Sequence, residues 1–269
     1  MTTFVFPRDS ARLSVFDSGA GLPVVFQHGL GGDCAQVAGT FPDGPAFRRI
    51  TVECRGHGAS TAGTARPFGM RQFAADLLAV CDHLGLDRFV IGGISMGAAL
   101  SLQIAAGFAE RVRGLILARP AWGFERAPAN MRPFAQVADG LAAFAPGEAR
   151  DAFAASATAA RLAREAPDNL ASLLRFFERP EPSIVASLLA DLAADGPEVL
   201  REQAAKLAVP ALVIGHGEDF VHPLRLAESL AAALPRARLA VIAPKASQPE
   251  RHVAQFRAAV QDFLESLPD

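Results

Sequence analysis

Short apolar runs recur along the chain, each bounded by polar residues or by Gly and Pro. Phe4-Val5-Phe6 and Leu13-Ser14-Val15-Phe16 read as two strands joined by a polar turn. Val24-Val25-Phe26, Ile50-Thr51-Val52, Phe89-Val90-Ile91 and the run from Val112 to Leu117 read as further strands. Between them the apolar period lengthens. Phe73, Leu77, Val80 and Leu84 fall at helical spacing, which predicts a helix over 71–84 ending near Gly85, and an apolar helix is predicted over 98–106. Strands alternating with helices predict a parallel sheet covered on both faces.

From Trp122 to about Lys206 the pattern contains no strand. Ala, Leu and Phe dominate, and Pro128, Pro133, Pro146, Pro167, Pro180, Pro182 and Pro197 divide the segment into several short helices. Alternation resumes after Pro210, with strands over 211–214 and 238–242 and helices over 225–233 and 250–267. The expectation is an α/β fold: a mostly parallel, doubly wound sheet domain made of residues 1–121 and 207–269, interrupted by a helical insertion of residues 122–206.

Composition narrows the function classes. A chain of 269 residues, 51% hydrophobic, can bury a sizeable core. A net charge of -2 argues against nucleic acid held through phosphate contacts. No apolar run approaches the ~20 residues of a membrane span, and the first residues have no apolar h-region, so a cytoplasmic protein is expected. Cys34, Cys54 and Cys81 lack paired or Cys/His ligand spacing, which suggests reduced thiols and no zinc site. The expected partner is a small molecule, and the oligomeric state is left open. Lys206 and Lys245 are the only lysines.

The strongest chemical signal is Gly93-Ile94-Ser95-Met96-Gly97, between a predicted strand and a predicted helix. A nucleophile on so sharp a turn has crowded neighbours, and glycines two residues to either side leave room for strand and helix to approach. With this motif the chain resembles the α/β-hydrolase fold superfamily, in its serine-nucleophile branch with a helical cap. His28-Gly29-Leu30 stands where that family places half of its oxyanion hole. Glu53-Cys54-Arg55-Gly56-His57-Gly58-Ala59-Ser60 resembles the family's Asp-x-Arg-Gly-x-Gly-x-Ser turn, with Glu for Asp. Asp219, four residues before Pro223, resembles the family's acid position. Haloalkane dehalogenases and epoxide hydrolases of this fold are less similar, because they carry Asp in place of Ser95.

The resemblance implies Ser95 as nucleophile, the backbone N–H groups of Leu30 and Met96 as oxyanion hole, and Asp219 as the acid that orients the base, with no metal and no cofactor. His28, Arg119 and Trp122 are the candidates for the substrate pocket, although histidines such as His28 and His57 are usually structural in this family. Arg119, at the end of a strand, fits either a salt bridge or a contact to substrate. Arg55 is expected to tie its turn to nearby carbonyls. Phe134, Phe144, Phe153, Phe176 and Phe177 in the insertion suggest apolar walls. The expected activity is hydrolysis of a small or medium apolar carboxylic ester, or of a related acyl or carbon–carbon bond. The alternatives are a binding protein, or a lyase or acyltransferase, with a degenerate triad.

The departure from the family is its histidine. It normally follows the last strand, often as Gly-His, whereas this chain has Ala243-Pro244-Lys245-Ala246-Ser247 there. Without a base the serine hydroxyl keeps its proton. His252, about five residues further on, is the base the sequence favours. Lys245 in a Ser-Lys pair, His216 or His222 beside Asp219, and the absence of an efficient triad are the other readings.

Overall fold

The computed structural model describes residues 2–268. Eight strands form one sheet in the order β1-β2-β4-β3-β5-β6-β7-β8. They are β1 (Thr2–Arg8), β2 (Ala11–Asp17), β3 (Leu22–Gln27), β4 (Phe47–Val52), β5 (Phe89–Ile94), β6 (Val112–Ala118), β7 (Ala211–Gly215) and β8 (Ala237–Val241). β1 and β2 make an antiparallel hairpin, β2 pairs antiparallel with β4, and every other pairing is parallel.

Helices α1 (Cys34–Thr40), α2 (Met70–His83) and α3 (Met96–Gly107) follow β3, β4 and β5. Between β6 and β7 come α4 (Arg132–Ala143), α5 (Pro146–Ala154), α6 (Ala157–Glu165), α7 (Pro167–Leu174), α8 (Pro182–Ala193) and α9 (Arg201–Ala204). No strand occurs in that stretch among the described residues. α10 (Leu224–Ala233) follows β7 and α11 (Pro249–Glu265) follows β8.

Strand side chains alternate between two apolar layers, the period a two-faced sheet requires. Val24, Phe26, Val90, Ile116 and Ile214 point to one face, where α1 supplies Val37 and α11 supplies Phe256, Val260 and Phe263. Val25, Ile91, Leu115, Leu117 and Val213 point to the other, against α2, α3 and α10. All six residues of β5 are buried, so the loop that leaves it starts from a rigid base. The parallel strands β3, β5, β6 and β7 end along one edge, where ligands bind in open α/β sheets. The three cysteines are free thiols, and no helix among the described residues is long and apolar enough to cross a membrane.

Candidate active site

Ser95 stands between β5 and α3 with φ 57° and ψ -107°, a left-handed backbone that only a tightly determined site imposes on a side chain with a Cβ. The flanking glycines are required by contact. A Cβ on Gly93 would lie 2.7 Å from the Gln27 carbonyl oxygen and 2.7 Å from the Gly97 carbonyl carbon. A Cβ on Gly97 would lie 2.6 Å from the same oxygen. The Ser95 N–H donates to the Ala118 carbonyl at 2.9 Å, which anchors the turn to β6.

The imidazole against Ser95 is that of His222. Its Nε2 lies 2.9 Å from Ser95 Oγ, and its Nδ1 lies 2.9 and 3.0 Å from the two carboxylate oxygens of Asp219. Donation from Nδ1–H to Asp219 leaves Nε2 as the acceptor that faces the serine hydroxyl. The His222 backbone N–H also donates to Asp219 Oδ1 at 2.9 Å, closing a four-residue turn. Two asparagines from the helices above hold this turn. Asn130 Nδ2 donates to the Val221 carbonyl at 2.6 Å, and Asn169 Oδ1 accepts from the Val221 N–H at 2.9 Å.

His252 is therefore not where the sequence favoured it. It is buried on the first turn of α11, donates from Nδ1 to the Ala243 carbonyl at 2.9 Å, and packs edge-on against His216. The helix already begins at Pro249, which fixes the ring under the sheet edge rather than beside Ser95. His216 lies behind the acid, with Nε2 3.3 Å from Asp219 Oδ2.

Arg119 directly follows β6 and donates to Asp219 Oδ2 through Nη2 at 2.6 Å and Nε at 3.2 Å. Burial works to raise the Asp219 carboxyl, but the charges of His222 and Arg119 and their hydrogen bonds outweigh it, so Asp219 is held well below the usual carboxylate range. Burial lowers His222, with Asp219 opposing and Arg119 adding to the effect. The ring is thus neutral near pH 7. Burial, then Arg119, also lowers Lys245, whose Nζ lies 3.2 Å from Asp168 Oδ2 on α7.

The loop after β3 is built from backbone hydrogen bonds. The Gly32 N–H donates to the Gly29 carbonyl at 2.8 Å, and the Gly29 N–H donates to Gln36 Oε1 at 2.7 Å. Asp33 caps α1 by accepting from the Ala35 and Gln36 N–H groups at 3.0 Å. No backbone carbonyl among the described residues accepts from the Leu30 or Met96 N–H. His28 is not in the pocket wall. It is fully buried, donates to the Gly29 carbonyl and accepts from the Cys54 N–H at 3.0 Å, which binds this loop to the turn after β4. Glu53 reinforces that turn by accepting from the Cys34 N–H at 3.1 Å and the Ala59 N–H at 2.7 Å.

Above Ser95 lies a cavity of about 420 Å³, lined by Leu30, His222, Phe134, Phe176, Arg179 and Lys245 among others. Its wall also includes Gln36, Arg119, Asn169 and Arg175, so it is less apolar than the phenylalanine content of the insertion predicts. Trp122 does not reach it; the indole is 1% exposed and donates to the Asp195 carbonyl at 3.1 Å. Among the described residues no group of His, Cys, Asp and Glu is arranged to hold a metal ion. Asn130 and Asn169 are the residues that sequence reasoning did not single out, and His222 stood there only as an alternative base beside Asp219. The available signal was the Asp-x-x-His spacing, which lets acid and base meet across one turn.

Residues 23–248 match the family described as the α/β hydrolase fold. The chain is 26% identical over 273 residues to the 2-hydroxymuconate semialdehyde hydrolase of Pseudomonas putida, covering 94% of this chain and 90% of that protein. It is 32% identical over 136 residues to the 2-hydroxy-6-oxo-2,4-heptadienoate hydrolase of Pseudomonas putida; that match covers 44% of this chain and 49%, about half, of the relative's length. Among solved structures, an enol-lactonase from Burkholderia xenovorans LB400 superposes with a TM-score of 0.73 at 27% identity, over 97% of this chain and 100% of that one.

Proposed function

Because the chain belongs to the α/β hydrolase fold family, we propose that it is a hydrolase in which Ser95 attacks the acyl carbon of a small carboxylic ester or lactone. The observation that carries this reading is the 2.9 Å contact between Ser95 Oγ and His222 Nε2, with Asp219 on the other ring nitrogen. As Ser95 Oγ bonds to the carbonyl carbon, its proton passes to His222 Nε2, and Asp219 stabilises the imidazolium. The N–H groups of Leu30 and Met96 receive the oxyanion. Collapse of the tetrahedral species expels the alcohol, which takes the proton from His222. Water then attacks the acyl-serine and gives a proton to His222; collapse of the second tetrahedral species releases the acid as His222 returns that proton to Ser95 Oγ.

The helices of residues 122–206 act as a cap that encloses the substrate. The two Pseudomonas putida relatives are named as hydrolases of 2-hydroxy-6-oxo-2,4-heptadienoate and of 2-hydroxymuconate semialdehyde, and the similar solved structure as an enol-lactonase. The same first step on an acyl carbon also serves a carbon–carbon hydrolase, so substrate choice rests with the cavity wall.

The test is a comparison of variants with a short 4-nitrophenyl ester and a fluorophosphonate probe. Ser95→Ala and His222→Ala should each lower kcat by roughly 10³-fold or more, as loss of a triad member does elsewhere. Wild type should be labelled at Ser95, and His252→Ala should retain turnover wherever it folds. If neither turnover nor labelling is seen in wild type, a binding protein on the hydrolase fold is the better reading.

A further inference from the structure

Four cationic side chains, Arg119, Arg175, Arg179 and Lys245, line the cavity beside Ser95 against one lining carboxylate, Asp33. Two of the four are already answered. Arg119 holds Asp219 at 2.6 Å and reaches Asp168 at 3.6 Å, and Lys245 holds Asp168 at 3.2 Å. Asp33 is occupied as the cap of α1. Arg175 and Arg179 have no carboxylate within salt-bridge distance among the described residues.

Arg179 is the more telling of the two. It is partly buried, lies over the Phe176 ring at 5.1 Å, and donates from Nη2 to the Gly31 carbonyl. Its other guanidinium donors take no protein acceptor among the described residues. Burial lowers its pKa, Asp33 opposes this, and the neighbouring Arg175 adds to the lowering. A desolvated cation with free donors and a second cation beside it is stabilised by an incoming anion. A guanidinium fork matches a carboxylate with two parallel hydrogen bonds.

We propose that the substrate of this site carries a free carboxylate, bound by Arg179 with Arg175 while its ester or lactone carbonyl faces Ser95. One partly buried guanidinium matches one negative charge, and a cavity of about 420 Å³ suits a small acid rather than a long acyl chain. The proposal rests on the hydrolase reading for the reaction. The anion subsite itself is readable without turnover.

Two esters that differ only at the far end of the acyl group provide the test: 4-nitrophenyl pentanoate, ending in a methyl, and 4-nitrophenyl hemiglutarate, ending in a carboxylate. After subtraction of the uncatalysed rates, kcat/KM in wild type should favour the hemiglutarate by about 10-fold or more, the scale of one charge-assisted contact. Arg179→Gln should lower that preference by about 10- to 100-fold and Arg179→Lys by less. Arg175→Gln, an exposed position, should lower it several-fold and keeps the test open if Arg179 variants fail to fold. Calorimetry on Ser95→Ala reads the subsite directly: monomethyl glutarate should bind more tightly than dimethyl glutarate, and Arg175→Gln should erase part of the difference. Turnover of pentanoate without a preference for hemiglutarate, with equal binding of the two glutarates, overturns the carboxylate subsite and leaves the hydrolase standing. Selective binding of monomethyl glutarate to a protein that turns over neither ester overturns the hydrolase and leaves the subsite standing. Selective binding of methyl phosphate in place of monomethyl glutarate also overturns the carboxylate assignment.

Discussion

Asp219 offers two carboxylate oxygens to three neighbours: Oδ1 faces His222, while Oδ2 faces His222, Arg119 and His216. Such crowding fixes both the charge of the acid and the tautomer of the base. Asp219→Asn should leave the cavity in place yet reduce kcat by about 10⁴, because an amide can present N–H to the ring and reverse its tautomer. Steady-state kinetics with a short ester reads this directly. The pH dependence follows from the lowered pKa of His222. In the proposed mechanism the base works unprotonated, so activity should be present above its pKa and lost below it. The acid limb of kcat/KM should therefore have its midpoint below about 6.5, the ordinary histidine value. A midpoint above that value would place a different group against Ser95. At this scale Ser95 was legible because its glycines record a steric need that any sequence must meet. His222 was less so, because a contact between residues 95 and 222 depends on how far β7 and its loop extend past β5.

Among the elements, the turn that carries Asp219 and His222 depends on helices distant in sequence. Asn169 on α7 receives the Val221 N–H, and Asn130 gives to the Val221 carbonyl. Asn169→Ala leaves a buried N–H without a partner, a cost of about 1–3 kcal/mol, paid at a turn that must hold the imaginary line from Asp219 to Ser95. The expected result is a lower melting temperature together with slower fluorophosphonate labelling of Ser95. A change in melting temperature with unchanged labelling would show that the turn holds itself. Arg55 gives a second element-scale prediction. Rather than meeting carbonyls, as its turn suggested, it is fully buried and grips Asp76 of α2 at 2.7 and 2.9 Å. Asp76→Asn should destabilise by about 1–3 kcal/mol in urea unfolding, because it leaves the buried guanidinium with the exposed Asp9, 3.1 Å from its Nη2, as its remaining carboxylate partner. The strands were legible in their β-branched runs. The short α1 was not, since Val37 is its one buried residue and its start is set by Asp33 and by Glu53 across the loop.

In the molecule as a whole, the switch from alternating strands to a run of short helices and back was legible, because a two-faced sheet and a helical layer impose different apolar periods. The pairings that join the insertion to the sheet were not legible. They run through single side chains, such as Asp195 accepting from the Met70 N–H at 2.8 Å and Lys245 meeting Asp168. Folding also buries histidines in neutral form: burial lowers His57 to about 3 and His252 to about 4. The unfolded chain takes up these protons first as pH falls, so this part of the stability is full above about 6.5 and declines toward pH 4. The urea midpoint should fall steadily across that window, and a flat midpoint would show that both rings find proton acceptors in the native state.

In the proposed mechanism the Asp219-Phe220-Val221-His222 turn carries acid and base as a single unit. Insertions or deletions beyond His222, between α10 and β8 or between β8 and α11, shift neither partner relative to the other. The same economy makes the tetrapeptide transplantable: written into the corresponding loop of a relative whose own histidine has been deleted, it should restore part of the lost turnover.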